Sequence, residues 1–235
     1  MMAAPEVKVN ATVVDYGLGN LFNIGRACEY VGMDVVISSQ KEDILKADVV
    51  ILPGVGAFGD AMATLRRLDL VNVLRDIAEA GKPLVGICLG TQLLMSESCE
   101  FGLHRGLGII EGSVLRFECP SEGDRILKVP QVQWNQIFRS DCVTAGNDVW
   151  IDTPLGGLGE GEFLYFVHSF YVRPTDPSVV LSTSRYGHIE FCSSLQRRNV
   201  FACQFHPERS GPAGLQIYRN LVRAALGTKG VGTCE

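Results

Sequence analysis

The first part of the chain alternates between short apolar runs and longer segments that carry one apolar stripe. Unbroken apolar runs are typical of buried parallel strands, and stripes with helical spacing are typical of amphipathic helices. The pattern predicts strands at residues 9–14, 34–38, 49–52 and 84–87, helices at 21–31, 42–47 and 89–95, and one long helix ending at Gly81. This alternation predicts an α/β fold with an open parallel sheet, whose functional loops follow the strand carboxyl ends.

After Met95 the apolar pattern changes to strands joined by turns, and helical spacing returns only after Pro212. Residues 121–125 and 153–161 are predicted loops, and a disordered tail is predicted at about 228–235. The predicted strands are 108–117, 129–138, 163–172, 179–184, 189–195 and 200–205. We therefore expect a single domain over residues 1–235, with an antiparallel β region added to the parallel sheet.

Composition narrows the functional classes. The formal net charge of -5 offers no general attraction for nucleic acid or an anionic membrane surface. No apolar stretch is long enough for a membrane span, and the first ten residues lack the features of a secretion signal. The eight cysteines include no C-x-x-C pair, which favours reduced thiols in a cytoplasmic protein. Histidine spacing does not suggest zinc, and we expect no metal or other cofactor.

One cysteine stands where a nucleophile would be expected. Gly86 and Gly90 flank Cys88 at the spacing of a nucleophile elbow, in which small residues permit a strained turn between strand and helix. A sulfur at the start of a helix would favour the thiolate. The alternative is a buried structural thiol, because free cysteine is among the most buried residue types.

A histidine and a glutamate follow the last predicted strand. His206 could take a proton from a thiol and return it to a leaving amine, and Glu208 could hold the imidazole in one tautomer. The alternative is an ordinary turn with a solvated carboxylate.

The glycine-rich turn after the third strand would complete such a site. Glycines at 54 and 56 allow the backbone N–H groups to approach an oxyanion, with the amide of Leu89 as a second donor. The Walker-type phosphate-binding pattern is missing from this turn.

These motifs together resemble the class I (triad) glutamine amidotransferases. The resemblance rests on Cys88 in its elbow, on His206-Pro207-Glu208, and on residues 15–20, 53–59 and 166–171, and it covers nearly the whole chain. Within that family, these segments look like those of the amidotransferase subunits of imidazole glycerol phosphate synthase. The resemblance implies a flavodoxin-like, mostly parallel open sheet flanked by helices.

The resemblance also implies a reaction and a partner. Cys88 would attack the side-chain amide of L-glutamine, and ammonia would pass to a HisF-type (β/α)₈ cyclase, which would use it to form imidazole glycerol phosphate in histidine biosynthesis. The chain is too short to contain such a barrel of about 250 residues, so the cyclase would be separate or removed. Motif positions imply that glutamine is held by Gly54, Val55, Gly56, Leu89, Gln92, Glu100, His168, Ser169 and Phe170. Glu100 could equally be a solvated carboxylate at a helix end.

Two segments depart from the family pattern. Where the family has Pro-His-x-Gly-Trp-Asn, this chain has Gln131 and Gln133 in place of the histidine and glycine, before Trp134. Arg209 replaces the lysine that commonly follows His-Pro-Glu, and the two cations are not interchangeable. Both segments lie near the cyclase-facing surface in relatives, so the resemblance places these four residues at a partner interface.

Three other functions stay open on the sequence. A stand-alone γ-glutamyl or thiol hydrolase would use the same cysteine and histidine without a partner. The chain could also be the amidotransferase subunit of a different synthase. A binding module that has lost catalysis is the third, favoured only by the altered residues 131–133.

Overall fold

The computed structural model describes residues 8–141 and 148–231. It contains fifteen strands and six helices within those residues, with short 3-10 helices at Pro177–Val179 and Pro207–Arg209. In chain order they are β1 (Asn10–Val14), α1 (Leu21–Tyr30), β2 (Asp34–Ser38), α2 (Lys41–Lys46), β3 (Val49–Leu52), α3 (Phe58–Arg67), α4 (Val71–Glu79), β4 (Leu84–Ile87), α5 (Leu89–Leu93), β5 (Glu97–Ser98), β6 (His104–Arg105), β7 (Gly112–Arg116), β8 (Ser121–Glu122), β9 (Arg125–Ile126), β10 (Gln131–Arg139), β11 (Glu162–His168), β12 (Phe170–Pro174), β13 (Val180–Tyr186), β14 (Ile189–Arg197), β15 (Val200–Cys203) and α6 (Gly211–Val231).

Five parallel strands form one end of the main sheet, in the order β2-β1-β3-β4-β15, with β2 at its edge. From β15 the sheet continues through antiparallel β14, β12 and β7, with β10, β11 and β13 attached to this part. The predicted α/β class, the open parallel sheet and the added antiparallel region are therefore confirmed.

Helices cover both faces of the parallel strands. Val14, Leu52 and Leu84 belong to one apolar cluster with residues of α3 and α4. Their neighbours Val13 and Ile51 belong to a second cluster with residues of α1 and α6. Because successive strand side chains point to opposite faces, such burial on both sides explains why these strands are unbroken apolar runs.

The predicted long helix before Gly81 is wrong, because the segment forms two helices, α3 and α4. Asp69, between them, has a left-handed φ of 53°, and its N–H donates to Arg66 O at 3.0 Å. Both helices bury their apolar residues in the same cluster, so helical spacing alone gave no sign of the break.

Ser169 interrupts the strand predicted at 163–172. Before it, β11 pairs with β10, and after it, β12 pairs with β7 and β14. The chain changes partners at this residue, which brings its backbone to the site described below. Two further predictions need correction: the loop at 121–125 contains the hairpin of β8 and β9, and the strand predicted from 108 begins at Gly112.

The predicted tail at about 228–235 overlaps α6, which extends to Val231. Residues 232–235 lie outside the described part of the chain. Across residues 8–141 and 148–231, no helix has the length and apolar character needed to cross a bilayer.

Candidate active site

Cys88 follows β4 in a strained backbone conformation. Its φ of 55° and ψ of -109° are unusual for a residue with a side chain and fit an elbow between strand and helix. Close packing explains the flanking glycines: a Cβ on Gly86 would lie 2.9 Å from Leu94 Cδ1, and one on Gly90 would lie 2.9 Å from the carbonyl carbon of Leu52. The predicted elbow is thus present, and it leads into α5.

His206 follows β15, the strand beside β4. Its Nδ1–H donates to Glu208 Oε1 at 2.8 Å, because Pro207–Arg209 forms a single 3-10 turn that brings the two side chains together. Both side chains are buried, with 6% and 0% exposure. The backbone N–H of His206 donates to Tyr165 O at 2.9 Å, which fixes the start of the turn.

Charge links His206 to the cysteine. Burial by itself lowers the pKa of His206, but Cys88 and Glu208 outweigh burial and raise that pKa from 6.5 to about 10. An imidazolium near Cys88 favours the thiolate. Nevertheless His206 Nε2 has no hydrogen-bond partner, and the sulfur lies 3.8 Å from Val167 O and 3.7 Å from Gln204 Nε2. Such contacts commonly tighten only when substrate binds.

A cavity of about 240 Å³ opens beside the sulfur. Both Cys88 and His206 line it, while Glu208 stands behind His206. All the predicted glutamine-binding residues except Gly54 line the same cavity, together with Val167: Val55, Gly56, Leu89, Gln92, Glu100, His168, Ser169 and Phe170. The structure thus brings residues from five separate segments to one small cavity.

Gly54 lies behind the cavity and supports its turn. A Cβ on Gly54 would lie 2.8 Å from Leu89 Cβ and would overlap the hydroxyl of Tyr16. That hydroxyl donates to Pro53 O at 2.7 Å. The prediction that Gly54 itself lines the pocket is therefore corrected, whereas Gly56, with φ of +97°, lies on the lining as expected.

Glu100 is anchored by a helix at one side of the cavity. Its Oε2 accepts the N–H of Phe58, the first residue of α3, at 2.6 Å, and its side chain is largely buried. The alternative of a solvated carboxylate is therefore excluded. The carboxylate combines a structural bond with a position on the cavity wall.

The carbonyl of Phe170 accepts two side-chain hydrogen bonds. Gln92 Nε2 donates to it at 3.0 Å and His168 Nδ1 at 2.8 Å. Burial lowers the pKa of His168 to about 3, against an opposing effect of the bond to Phe170, so the ring is neutral. Its Nε2 is therefore an acceptor, and this atom has no partner.

Sequence reasoning missed Gln204. Its Nε2 donates towards Cys88 Sγ at 3.7 Å, while its Oε1 accepts from Gln92 Nε2 at 3.2 Å. The side chain is fully buried. The available signal was a single amide residue between an apolar strand and His206, where a further apolar residue would be expected.

The four residues predicted at a partner interface are not all on the surface. Trp134 is 50% exposed and Gln133 is also exposed. The Arg209 guanidinium stacks on the ring of Tyr165, with 4.1 Å from Cζ to the ring centroid. Gln131 is instead fully buried, because its side chain lies on the same sheet face as buried His168, which is directly opposite it on β11. Neither atom of the Gln131 amide has a hydrogen-bond partner.

Comparisons with a family model and with known proteins agree on one family. A family model described as glutamine amidotransferase class-I matches residues 12–225. "Imidazole glycerol phosphate synthase subunit HisH" of Rhodopirellula baltica is 44% identical over 92% of this chain and 98% of that protein. The protein of the same name from Aquifex aeolicus is 46% identical, with the same coverage of each chain.

Solved structures share the fold at lower identity. PurLQS from Thermotoga maritima matches with a TM-score of 0.69 and 22% identity, over 93% of this chain and 99% of that chain. A structure described as a glutamine amidotransferase matches with a TM-score of 0.62 and 20% identity, over 93% and 98%.

Proposed function

The chain belongs to the class I glutamine amidotransferases, and from that premise we propose that it is the glutamine-hydrolysing subunit of an imidazole glycerol phosphate synthase. The observation that carries this proposal is the meeting of Cys88 and His206 at one cavity, with Glu208 bonded to His206. The match of the HisH relatives over nearly their full length supports the synthase assignment.

In the proposed reaction, the Cys88 thiolate attacks the side-chain carbonyl carbon of glutamine, and a C–S bond forms. The developing oxyanion is stabilised by backbone N–H groups of Leu89 and of the turn through Val55 and Gly56. The C–N bond then breaks, and the leaving nitrogen takes the proton from His206 as ammonia departs. Glu208 holds the imidazole in orientation through its Nδ1–H.

Water completes the cycle. His206, now neutral, takes a proton from water, which attacks the γ-glutamyl thioester and releases glutamate and the thiolate. Glu100 and the carbonyl of Phe170 are suitable for the glutamine ammonium group, because both present acceptors at the cavity. We assign these roles to the residues as part of the proposal.

The partner is proposed to be a HisF-type cyclase that binds at the surface formed by Gln133, Trp134, Tyr165 and Arg209. This surface lies on the far side of the same turn that holds His206, since Arg209 ends that turn and Tyr165 accepts the N–H of His206. Two apolar side chains are also exposed on the neighbouring strands, Val132 on β10 and Phe163 on β11. Ammonia released at Cys88 would thus have a short route to the partner. A cytoplasmic location is proposed from the six free thiols of the described chain.

The decisive experiment measures glutamine hydrolysis by the purified chain alone, with a HisF-type cyclase, and with the cyclase plus its ribotide substrate. We expect strong activation by the complete mixture and no activity in Cys88→Ala, which should still bind the cyclase. Retained hydrolysis in Cys88→Ala would refute the assignment of the nucleophile.

The alternatives predict different results in the same assay. A stand-alone hydrolase would cleave γ-glutamyl peptides without the cyclase. A binding module would show no hydrolysis, and an electrophilic glutamine analogue would not label Cys88. If only the synthase subunit of another pathway activated the chain, the assignment as a glutaminase would stand and the HisF-type partner would be refuted.

A further inference from the structure

The carboxylate of Glu208 uses only one of its two oxygens in the contacts described so far. Oε1 accepts the His206 Nδ1–H, whereas Oε2 is buried without any hydrogen-bond partner. The side chain has no solvent exposure. An ionised oxygen without a donor in such a place is energetically costly, so a nearby donor is expected.

A donor without an acceptor lies on the closing helix. The hydroxyl of Tyr218, in α6, is also buried with no partner, and the side chain is among the largest that are fully buried. A phenol donates one hydrogen bond and a carboxylate accepts several. The two orphan atoms are therefore chemically complementary.

Helix packing brings Tyr218 towards the Glu208 turn. A Cβ on Gly214 would lie 2.7 Å from the carbonyl carbon of Pro207, so this face of α6 rests directly on the 3-10 helix at Pro207–Arg209. Tyr218 follows Gly214 by four residues and therefore shares that face. Because helical side chains lean towards the helix N-terminus, the ring of Tyr218 leans back towards the turn.

Electrostatics agree with this placement. Burial raises the pKa of Tyr218 well above its ordinary value, with further increases from the charges of Cys28, Glu208 and Cys203, so the hydroxyl keeps its proton. The thiols are weaker competitors as donors, and that of Cys203 already donates to Phe205 O at 3.5 Å. The titratable groups that interact with Glu208 are His206 in its own turn, Cys28 in α1, Cys203 in β15 and Tyr218 in α6.

We propose that the Tyr218 hydroxyl is linked to Glu208 Oε2 through one buried water and acts as a positioning residue for the Cys88–His206–Glu208 triad. The inference rests on the proposed function, since it adds Tyr218 as a fourth member to the catalytic groups Cys88, His206 and Glu208. By binding the second carboxylate oxygen, Tyr218 holds Glu208 in the orientation in which Oε1 accepts the His206 Nδ1–H.

The test compares Tyr218→Phe, which removes only the hydroxyl, with Tyr186→Phe as a matched control. Tyr186 is a buried tyrosine whose hydroxyl donates to Lys128 O at 2.5 Å, so its variant also loses a hydrogen bond. Alkylation of Cys88 by iodoacetamide is followed against pH by mass spectrometry of the Cys88 peptide. Glutamine hydrolysis is measured in parallel on the full chain with a HisF-type cyclase.

In Tyr218→Phe, we expect the pH midpoint of Cys88 alkylation to rise by about half to one unit, because a carboxylate that is no longer held in orientation gives less support to the imidazolium beside Cys88. The kcat should fall about 5- to 30-fold, while KM for glutamine stays within about twofold, because Tyr218 does not line the cavity. Tyr186→Phe should leave the alkylation midpoint in place. Glu208→Gln should abolish the effect of Tyr218→Phe in the double variant, since Tyr218 acts only through Glu208.

Superimposable alkylation profiles for Tyr218→Phe and the wild type would overturn the proposal. A shift in Cys28→Ala without one in Tyr218→Phe would assign the donor to Cys28 and also overturn it. If the wild type failed to hydrolyse glutamine, the proposed function would fall, and the alkylation profiles would still decide the role of Tyr218.

Discussion

Gly90→Ala gives a stringent test of the elbow geometry. Gly90 lies in α5, where alanine would ordinarily stabilise a helix by about 1 kcal/mol relative to glycine. In this structure a Cβ at residue 90 would lie 2.9 Å from the carbonyl carbon of Leu52 and closer still to its oxygen. The neighbour is backbone at the end of β3 and cannot rotate away, so α5 or the following turn must move.

The size of the effect follows from these opposing contributions. Overpacking a close contact typically costs about 1–3 kcal/mol, and we expect the clash to exceed the gain in helix propensity. Because the neighbour is backbone, the cost should lie near the upper end of that range, and the net loss of about 2 kcal/mol lowers Tm by about 4–8 °C for a chain of this size. Because the displaced segments carry Cys88 and the oxyanion turn, glutaminase activity should fall on the order of 100-fold.

Urea unfolding and glutamine hydrolysis with the cyclase present measure the two effects. Gly159→Ala is the matched control, because nothing lies within 4 Å of its added Cβ and its φ is not positive; its stability should stay within about 0.5 kcal/mol. A Gly90→Ala protein that is as stable and as active as the wild type would refute the packing argument.

Three further predictions address other parts of the site. The pKa of His168, about 3 when folded, lies below its unfolded value of 6.5. At pH values between about 3 and 6.5, His168 is therefore protonated in the unfolded chain and neutral in the folded protein. The free energy of unfolding falls as pH drops through this range. In urea unfolding, the difference between wild type and His168→Asn should change by about 1.4 kcal/mol per pH unit between pH 6 and 4; parallel curves would contradict it. Gln204→Leu removes the donor near Cys88 Sγ and should slow alkylation of Cys88 at pH 7 by about 3- to 10-fold, whereas an unchanged rate would exclude the contact. Arg209→Ala removes the cation over Tyr165 and should weaken cyclase binding about 2- to 30-fold in calorimetry with Cys88 alkylation unchanged; equal affinity would place the interface elsewhere.

The interior parallel strands β3, β4 and β15 could be predicted because their burial on both faces leaves a continuous apolar run, whereas the edge strand β2 is apolar but largely exposed. The predicted bounds 34–38 and 49–52 coincide with β2 and β3. The break at Asp69 could not be predicted in the same way, since α3 and α4 bury one common face. Short β5 and β6 had too few residues to show alternation.

The cavity was predictable where motifs specify backbone shape and less so where packing decides. Small residues around Cys88 signalled the elbow, and the partnership of His206 with Glu208 followed from their chemistry. Gln204 was signalled only by its polarity next to an apolar strand, and Tyr218 gave no signal, because the positions of both side chains arise from strand pairing and helix packing across the fold. Burial of Gln131 likewise depends on the register that sets it opposite His168.

The position of β15 has a consequence for how the protein is made. Among the described residues this strand is the last in sequence, yet it lies in the interior of the sheet, between β4 and β14. During synthesis, the ribosome releases the cysteine strand long before the histidine strand can be inserted beside it. A nascent or truncated chain therefore has a nucleophile without its base. Glutamine breakdown can therefore begin only after the chain has been synthesised through Glu208 and β15 has been inserted beside β4.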